Sequence, residues 1–313
     1  MKILFVGLGS IGTRHLKNLT TLAGQKGLTL QLDALRHDLS RPLPQEVSSL
    51  LCSQFDRPEA LGNYDAVFIT NPTQLHFEVI QQLADRTDCF FIEKPLFENC
   101  KHTPLQAGLV DKRVYVAAPM RWCGTYIKLK ELLAARGDLR PYSARIICSS
   151  YLPEWRKGVD YRTVYSARRE LGGGVGIDLI HEWDYLIDLF GAPLQQYSFV
   201  GKYSDLEIDS DDVAVYIARY PAMLAEIHLD YFGRGYRRSI ELMCRDGSVL
   251  ADFGAGILTL PDGSVQDCTE PLNDRYLREM DYFLTFLQSG QQDSINNAEH
   301  AWQVLQYALG TRT

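Results

Sequence analysis

Ile3-Leu4-Phe5-Val6-Gly7-Leu8-Gly9-Ser10-Ile11-Gly12 is the stretch that decides the fold. Its first four residues are a short, fully apolar run, as a central parallel strand buried on both faces requires. The glycines follow at once and open a helix that the pattern carries to about Leu22. GxGxxG in this position gives a tight turn, close approach of a pyrophosphate and tight packing of helix on strand, with the positive end of the helix dipole facing the phosphates. Gly7, Gly9, Ser10, Ile11 and Gly12 are therefore candidate dinucleotide contacts. The alternative is a glycine-rich strand–helix turn with no ligand.

The following segments read as the rest of a parallel α/β sheet. A second strand over about 28–35 ends Leu35-Arg36-His37-Asp38, where a site for NAD usually offers an acid to the adenosine ribose. Asp33 falls inside the strand. Arg36 can pair with a 2′-phosphate, which favours NADP(H) over NAD(H); the alternative is an arginine stacked on adenine or exposed to solvent. Ala66 to Thr70 is a third buried run and leads into Asn71-Pro72-Thr73-Gln74-Leu75-His76. Cys89 to Ile92 is another, ending in Glu93-Lys94-Pro95, and Val114 to Pro119 a further one, ahead of Met120-Arg121-Trp122 and a helix over about 126–135. Ligands in open α/β sheets bind at the carboxyl ends of strands, so Asn71, Pro72, His76, Glu93, Lys94 and Pro95 should border the cofactor. A lysine at such an end can stabilise negative charge developing on a substrate hydroxyl.

The bulk numbers set limits. The chain has 313 residues, 46% hydrophobic and 23% charged, enough for two domains with cores of their own. A net charge of -7 without a long basic run argues against nucleic acid as the main partner. The apolar start is too short for a signal peptide or a membrane span. Seven scattered cysteines without a CxxC pair suggest free thiols in a reducing, cytoplasmic setting and no zinc site; no metal is expected.

Further along, Gly172-Gly173-Gly174-Val175-Gly176 precedes Ile177-Asp178-Leu179-Ile180-His181-Glu182-Trp183-Asp184-Tyr185-Leu186. The glycines let a backbone pass close to a ligand or another segment. At helical spacing Leu179, Ile180, Trp183, Leu186, Ile187 and Phe190 share one arc, with Asp178, His181, Asp184, Tyr185 and Asp188 on the opposite one beside Glu182. The second arc reads as outward-facing, either a solvated face or an acid–base site in which a carboxylate orients a histidine.

In this order and at these separations, GxGxxG, Asn-Pro-Thr with His76, Glu93-Lys94-Pro95, Met-Arg-Trp and the glycine–aspartate–histidine segment resemble the Gfo/Idh/MocA family (glucose–fructose oxidoreductase, inositol dehydrogenase and relatives) over essentially the whole chain. The resemblance implies an α/β protein, with a Rossmann domain at 1–120 that carries NAD(P). It also implies an α+β domain at 121–313 with a largely antiparallel open sheet, the site lying between the two. It implies hydride transfer to or from a sugar or cyclitol carbon, with Lys94, Asp178 and His181 catalytic and Arg121 on the cofactor side. The family's histidine usually follows its aspartate by four residues; here His181 follows Asp178 by three and Glu182 holds the usual slot. His181 is taken as the acid/base and Glu182 as its rival or a substrate contact. A non-catalytic cofactor-binding sensor on the same fold is the other reading, and retention of Lys94 with the acid–histidine pair speaks for the enzyme.

Between a strand over about 142–150 and the glycines, aromatic rings are interleaved with basic residues. Trp155, Arg156, Tyr161, Arg162, Tyr165 and Arg168 are candidate contacts for an anionic sugar or nucleotide sugar, because rings stack on sugar faces and arginine forks bind carboxylate or phosphate. A surface loop or a subunit contact is the alternative. From Val213 the pattern alternates as strands over about 213–220, 224–232, 239–245 and 249–253, with turn signals at Asp246-Gly247 and at 261–264. Their sheet would pair copies into a homodimer or homotetramer. Helices over about 273–288 and 298–309 close the chain.

Overall fold

A computed structural model describes residues 1–311. By its contacts the chain divides into two compact units: Met1–Pro119 with Asn273–Gln303, and Met120–Leu272 with residues 304–311.

The first unit is a six-stranded parallel sheet in the order β3-β2-β1-β4-β5-β6. Its strands are β1 (Lys2–Val6), β2 (Gln31–Leu35), β3 (Ser53–Phe55), β4 (Ala66–Ile69), β5 (Cys89–Ile92) and β6 (Arg113–Val116). Helices α1 (Ser10–Gln25), α2 (Gln45–Ser48) and α3 (His76–Leu83) connect them. The apolar runs become the central strands because only residues without polar side chains can be covered on both faces. Val6 lies level with Ile69, and Ile69 with Ile92, so the carboxyl ends of β1, β4 and β5 finish side by side. Asp33 stays inside β2, opposite Leu4, where Tyr64 donates to it at 3.1 Å and Lys2 lies 3.8 Å away. It is a sheet residue and takes no part at the strand end.

The second unit opens with α4 (Gly124–Ala135) and holds an eight-stranded mixed sheet, mostly antiparallel, in the order β14-β13-β12-β11-β7-β10-β9-β8. The strands are β7 (Ser143–Tyr151), β8 (Gln195–Gly201), β9 (Val213–Arg219), β10 (Leu224–Asp230), β11 (Phe232–Cys244), β12 (Gly247–Asp252), β13 (Ile257–Thr259) and β14 (Val265–Asp267). β10 and β7 pair in parallel. Short helix α5 (Val175–Asp178) and α6 (His181–Phe190) lie between β7 and β8 in the chain.

α7 (Leu272–Ser289) and α8 (Ala298–Ala308) close the described chain, and Asn297 caps α8, its side-chain oxygen accepting from the His300 amide at 2.9 Å. Residues 273–303 group with the first unit and not with 121–272. The cause is burial: Met280, Phe283, Leu284 and Phe286 of α7 join the core built on Phe5, Phe68 and Phe91. Phe283 meets Phe68 and Phe91 edge-on at 5.1 and 5.2 Å. Among the described residues no helix is long and apolar enough to cross a membrane, and no group of three metal-ligating side chains gathers.

Candidate active site

In the first unit the strand ends gather the glycine turn, Asn71 and Lys94 through backbone register alone. The amides of Gly7, Thr70 and Glu93 donate to Leu35, Val6 and Ile69 respectively, at 2.9–3.0 Å. Gly7 has φ 84°, and a Cβ there would sit 2.9 Å from the Asn71 Cα. A Cβ on Gly12 would meet the Gly7 carbonyl oxygen at 2.4 Å and Thr70 Oγ1 at 2.6 Å, so helix, turn and strand end close only without side chains. A Cβ on Gly9 would meet nothing within 4 Å. Gly9 caps α1 without a side-chain bond, and no acid stands in the first turn. The helix thus presents amide donors and positive potential to open space, and this cradle fits a dinucleotide pyrophosphate. Beside it Gly7, Leu8, Arg36, His37, Asp38 and Arg41 line a depression of about 340 Å³. Arg36 leans across its rim, donating to Gln54 Oε1 at 2.7 Å and to the Arg41 carbonyl at 2.5 Å.

Two residues assigned to the cofactor have other partners. His76 is fully buried, with its ring nitrogens 3.2 Å from the Leu96 carbonyl and 3.1 Å from that of Asn71. It ties the Asn71 turn to the segment after Pro95, and burial lowers its pKa. Glu93 is buried against His15 of α1 at 2.5 Å, and its other oxygen accepts from the Lys94 amide at 3.1 Å. Burial pushes this carboxyl up, but the His15 and Lys94 contacts outweigh it and hold the pKa below the ordinary value. Glu93 therefore ties the Lys94 backbone to α1. The peptide between Lys94 and Pro95 is cis.

The second unit corrects the outward-facing arc. Asp178, His181, Glu182, Asp184 and Tyr185 are all buried, because other elements supply a partner for most of the polar groups. Arg121 donates to both oxygens of Asp184 at 2.8 and 2.9 Å and to Asp188 at 2.9 Å. Burial works against its charge, and the two carboxylates more than restore it. Arg121 thus fastens α6 and is not available to a cofactor. Glu182 is wholly buried, and its oxygens accept from Arg238 of β11 at 2.7 and 3.1 Å. That bidentate pair engages both Glu182 oxygens inside the unit, where the sequence had set Glu182 beside His181 as a rival acid/base or substrate contact. Gly173 admits a close backbone approach from the chain itself: a Cβ would lie 2.2 Å from the Tyr165 carbonyl oxygen.

The basic segment is largely neutralised within the unit. Arg162 is held by Asp160 and Glu207 at 2.8 and 2.9 Å, Arg169 by Asp211 at 3.1 Å, and Arg168 lies 3.9 Å from Asp209. The Tyr161 hydroxyl accepts from the Glu207 amide. Arg156 and Lys157 have no acid partner among the described residues. The inner face of the segment closes on itself around a hole of about 10 Å³, lined by Leu152, Trp155, Arg156, Val159, Tyr161, Val164 and Ser166, which holds at most one water. Its outward side leaves Trp155 and the Tyr165 ring exposed.

Sequence reasoning missed His15, Tyr231 and Arg238. His15 carries a signal, a titratable side chain on the buried face of α1 with Leu16, Leu19 and Leu22. Tyr231 has both its ring buried and its hydroxyl on Asp178 Oδ2. Arg238 carries no local signal, since Glu182 is 56 residues away.

Residues 1–114 match the family model described as the Gfo/Idh/MocA oxidoreductase family, NAD-binding Rossmann fold. A myo-inositol 2-dehydrogenase of Thermotoga maritima is 24% identical, the match covering 96% of this chain and 92% of that one. An oxidoreductase of Agrobacterium radiobacter, solved with NAD+, L-tartaric acid and magnesium, has the same fold with a TM-score of 0.80 at 17% identity, over 99% of this chain and 94% of that one. A UDP-N-acetylglucosamine 3-dehydrogenase of Acidithiobacillus ferrooxidans has a TM-score of 0.77 at 20% identity, over 100% and 96%. The family model thus covers the strands whose ends carry the glycine cradle, and relatives of similar fold span nearly the whole chain.

Proposed function

We propose that the protein is an NAD(P)-dependent oxidoreductase that moves a hydride between a nicotinamide cofactor and a secondary alcohol or ketone carbon of an anionic sugar derivative. The observation that carries the reading is the side-chain-free cradle at Gly7, Gly9 and Gly12, set level with Asn71 and the strand end bearing Lys94. Gly7, Gly9, Ser10, Ile11, Gly12, Asn71 and Pro72 would hold the cofactor, which when bound supplies or accepts the hydride. His181 takes the hydroxyl proton in the oxidative direction and returns it in the reductive one. Lys94 stabilises the partial alkoxide. Each role is worth about 10²- to 10³-fold in rate.

Arg36 on the rim of the depression beyond Gly7 supports NADP(H) over NAD(H), since a 2′-phosphate placed there meets its guanidinium, with Arg41 beside it paired to Asp38 at 3.5 Å. Arg156, with Trp155 beside it, supports an anionic substrate; it is the arginine of its segment left without an acid. Tyr197 and Phe199, exposed on edge strand β8, support a homodimer or homotetramer through the second unit's sheet. Seven free cysteines support a reducing, cytoplasmic setting.

The test is a turnover screen of sugar acids, nucleotide sugars and their neutral parents with each nicotinamide cofactor. Turnover of an anionic sugar that falls about 10²-fold or more in Lys94→Ala and His181→Gln, with cofactor affinity kept, is the expected result. Unchanged turnover in Lys94→Ala would remove Lys94 from the chemistry, and a preference for the neutral parents would remove the anionic substrate.

A further inference from the structure

Arg14, in the second turn of α1, has a guanidinium that makes no hydrogen bond or ion pair among the described residues. It does not trail into solvent: the residue is part-buried, and the guanidinium lies over the Tyr276 ring of α7, 4.6 Å from its centroid. Stacking on a ring face fixes the plane of a guanidinium and leaves its N–H edge unused. The Tyr276 hydroxyl likewise has no partner among the described residues. Burial and the Glu93 charge push this phenol above its ordinary pKa, with Arg14 acting the other way, so it remains a donor throughout the neutral range.

These groups lie in the first unit, on the β5 side of the glycine turn. The residue after Arg14, His15, is bonded to Glu93 at the end of β5, and its ring stands 6.1 Å from that of Tyr276. Arg36 follows β2, on the other side of β1. Ser10 stands one turn before Arg14 on the same flank of α1, and long helical side chains lean toward the N-terminus, so Arg14 reaches toward the end whose amides are open. The carboxylates around the phenol have partners of their own. Glu93 accepts from His15 and the Lys94 amide, and Glu279 from the Tyr115 hydroxyl at 2.9 Å and the Ala118 amide at 2.6 Å. Arg275 adds a second positive charge beside the phenol.

We propose that Arg14 and the Tyr276 hydroxyl form an oxyanion site on the β5 flank of the glycine turn, for a carboxylate or phosphate carried by the bound ligand. An ordered fork of N–H donors without an acceptor of its own is what bidentate capture of such an anion requires. Two sources share this chemistry, the substrate's own anionic group and the cofactor diphosphate. The flank carries Lys94 and lies away from Arg36, which favours the first. The site deepens the reading of an anionic sugar substrate and rests on it for the identity of the ligand.

The test is arginine labelling of the full-length protein with phenylglyoxal, read at Arg14 by peptide mass spectrometry, with inorganic phosphate as the probe for the anion and NADH for the cofactor. In cofactor-free protein phosphate should slow labelling saturably, about tenfold at about ten times the half-protecting concentration. Tyr276→Phe should raise that concentration severalfold; a purely structural role would change the labelling rate and not its dependence on phosphate. Protection by phosphate that persists in NADH-loaded protein, with NADH alone giving none, assigns the site to the substrate's anion. Protection by NADH alone assigns it to the diphosphate. Labelling that neither phosphate nor NADH slows would overturn the site. Where Arg14 resists the reagent, Arg14→Met gives the second reading: phosphate should raise its melting temperature less than the parent's, and an equal rise would overturn the proposal. The phosphate arm needs neither cofactor nor substrate, so failure of the hydride-transfer reading and failure of the site are read separately.

Discussion

Glu182 and Arg238 show how a single long-range partner changes the meaning of a residue. By spacing alone Glu182 could occupy a histidine's slot, and the guanidinium 56 residues later turns it into a structural ion. Removing one member of such a pair strands a charge in the interior, so Glu182→Gln or Arg238→Met should cost about 3–5 kcal/mol, read as a lowered denaturant midpoint. Glu93 gives a pH signature. Its folded pKa lies below the ordinary glutamate value of about 4.5, because the His15 and Lys94 contacts outweigh burial. The stability it contributes is then complete above that value and lost as pH falls through the lower, folded one. Glu93→Gln should flatten the acid limb of the stability–pH curve while leaving its neutral slope unchanged. Lys94 and His181 stood out in the sequence as residue types, a lysine at a strand end and a histidine three residues after an aspartate. Arg121 was not, since nothing local says that Asp184 and Asp188 neutralise it.

Among the elements, the N-terminal strand, turn and helix were legible because one physical demand, a buried strand closing tightly on a helix, leaves an apolar run and fixed glycines in the sequence. The glycine–aspartate–histidine segment was read as one amphipathic helix and is two pieces, α5 and α6, joined at Leu179 and Ile180. Both arcs are buried, and periodicity reports polarity without saying whether a polar face meets water or a buried partner. Strand β8 and the parallel β10–β7 pair were likewise out of reach, the first for want of alternation and the second because pairing across about 80 residues leaves no local trace. Gly173→Ala tests the element account. Its Cβ would press on the carbonyl oxygens of Tyr165, Ser166 and Arg168, so a loss of about 1–3 kcal/mol is expected, together with reduced turnover as Tyr165 leaves Asp178. A variant as stable and active as the parent would contradict that packing.

At the scale of the whole molecule, the order of motifs carried the resemblance that the family model matches over residues 1–114 and the division into two parts, while the return of α7 to the first unit did not show in the sequence. The α7 helix is amphipathic, and an apolar stripe does not name the core it joins. Phe283→Ala should cost about 3–5 kcal/mol and lower the melting temperature even though the residue is distant in sequence from every strand it supports. The most direct test of the central claim is a thermal-shift titration of cofactor-stripped protein with NAD+, NADH, NADP+ and NADPH, run beside Gly12→Val. A cofactor at about 100 times its Kd should stabilise the protein by roughly 2.7 kcal/mol, strongest for the NADP pair. Gly12→Val should abolish the response, since its Cβ would displace the Gly7 carbonyl and Thr70. A response to none of the four, or one that Gly12→Val leaves intact, would contradict a nicotinamide cofactor bound at this glycine cradle.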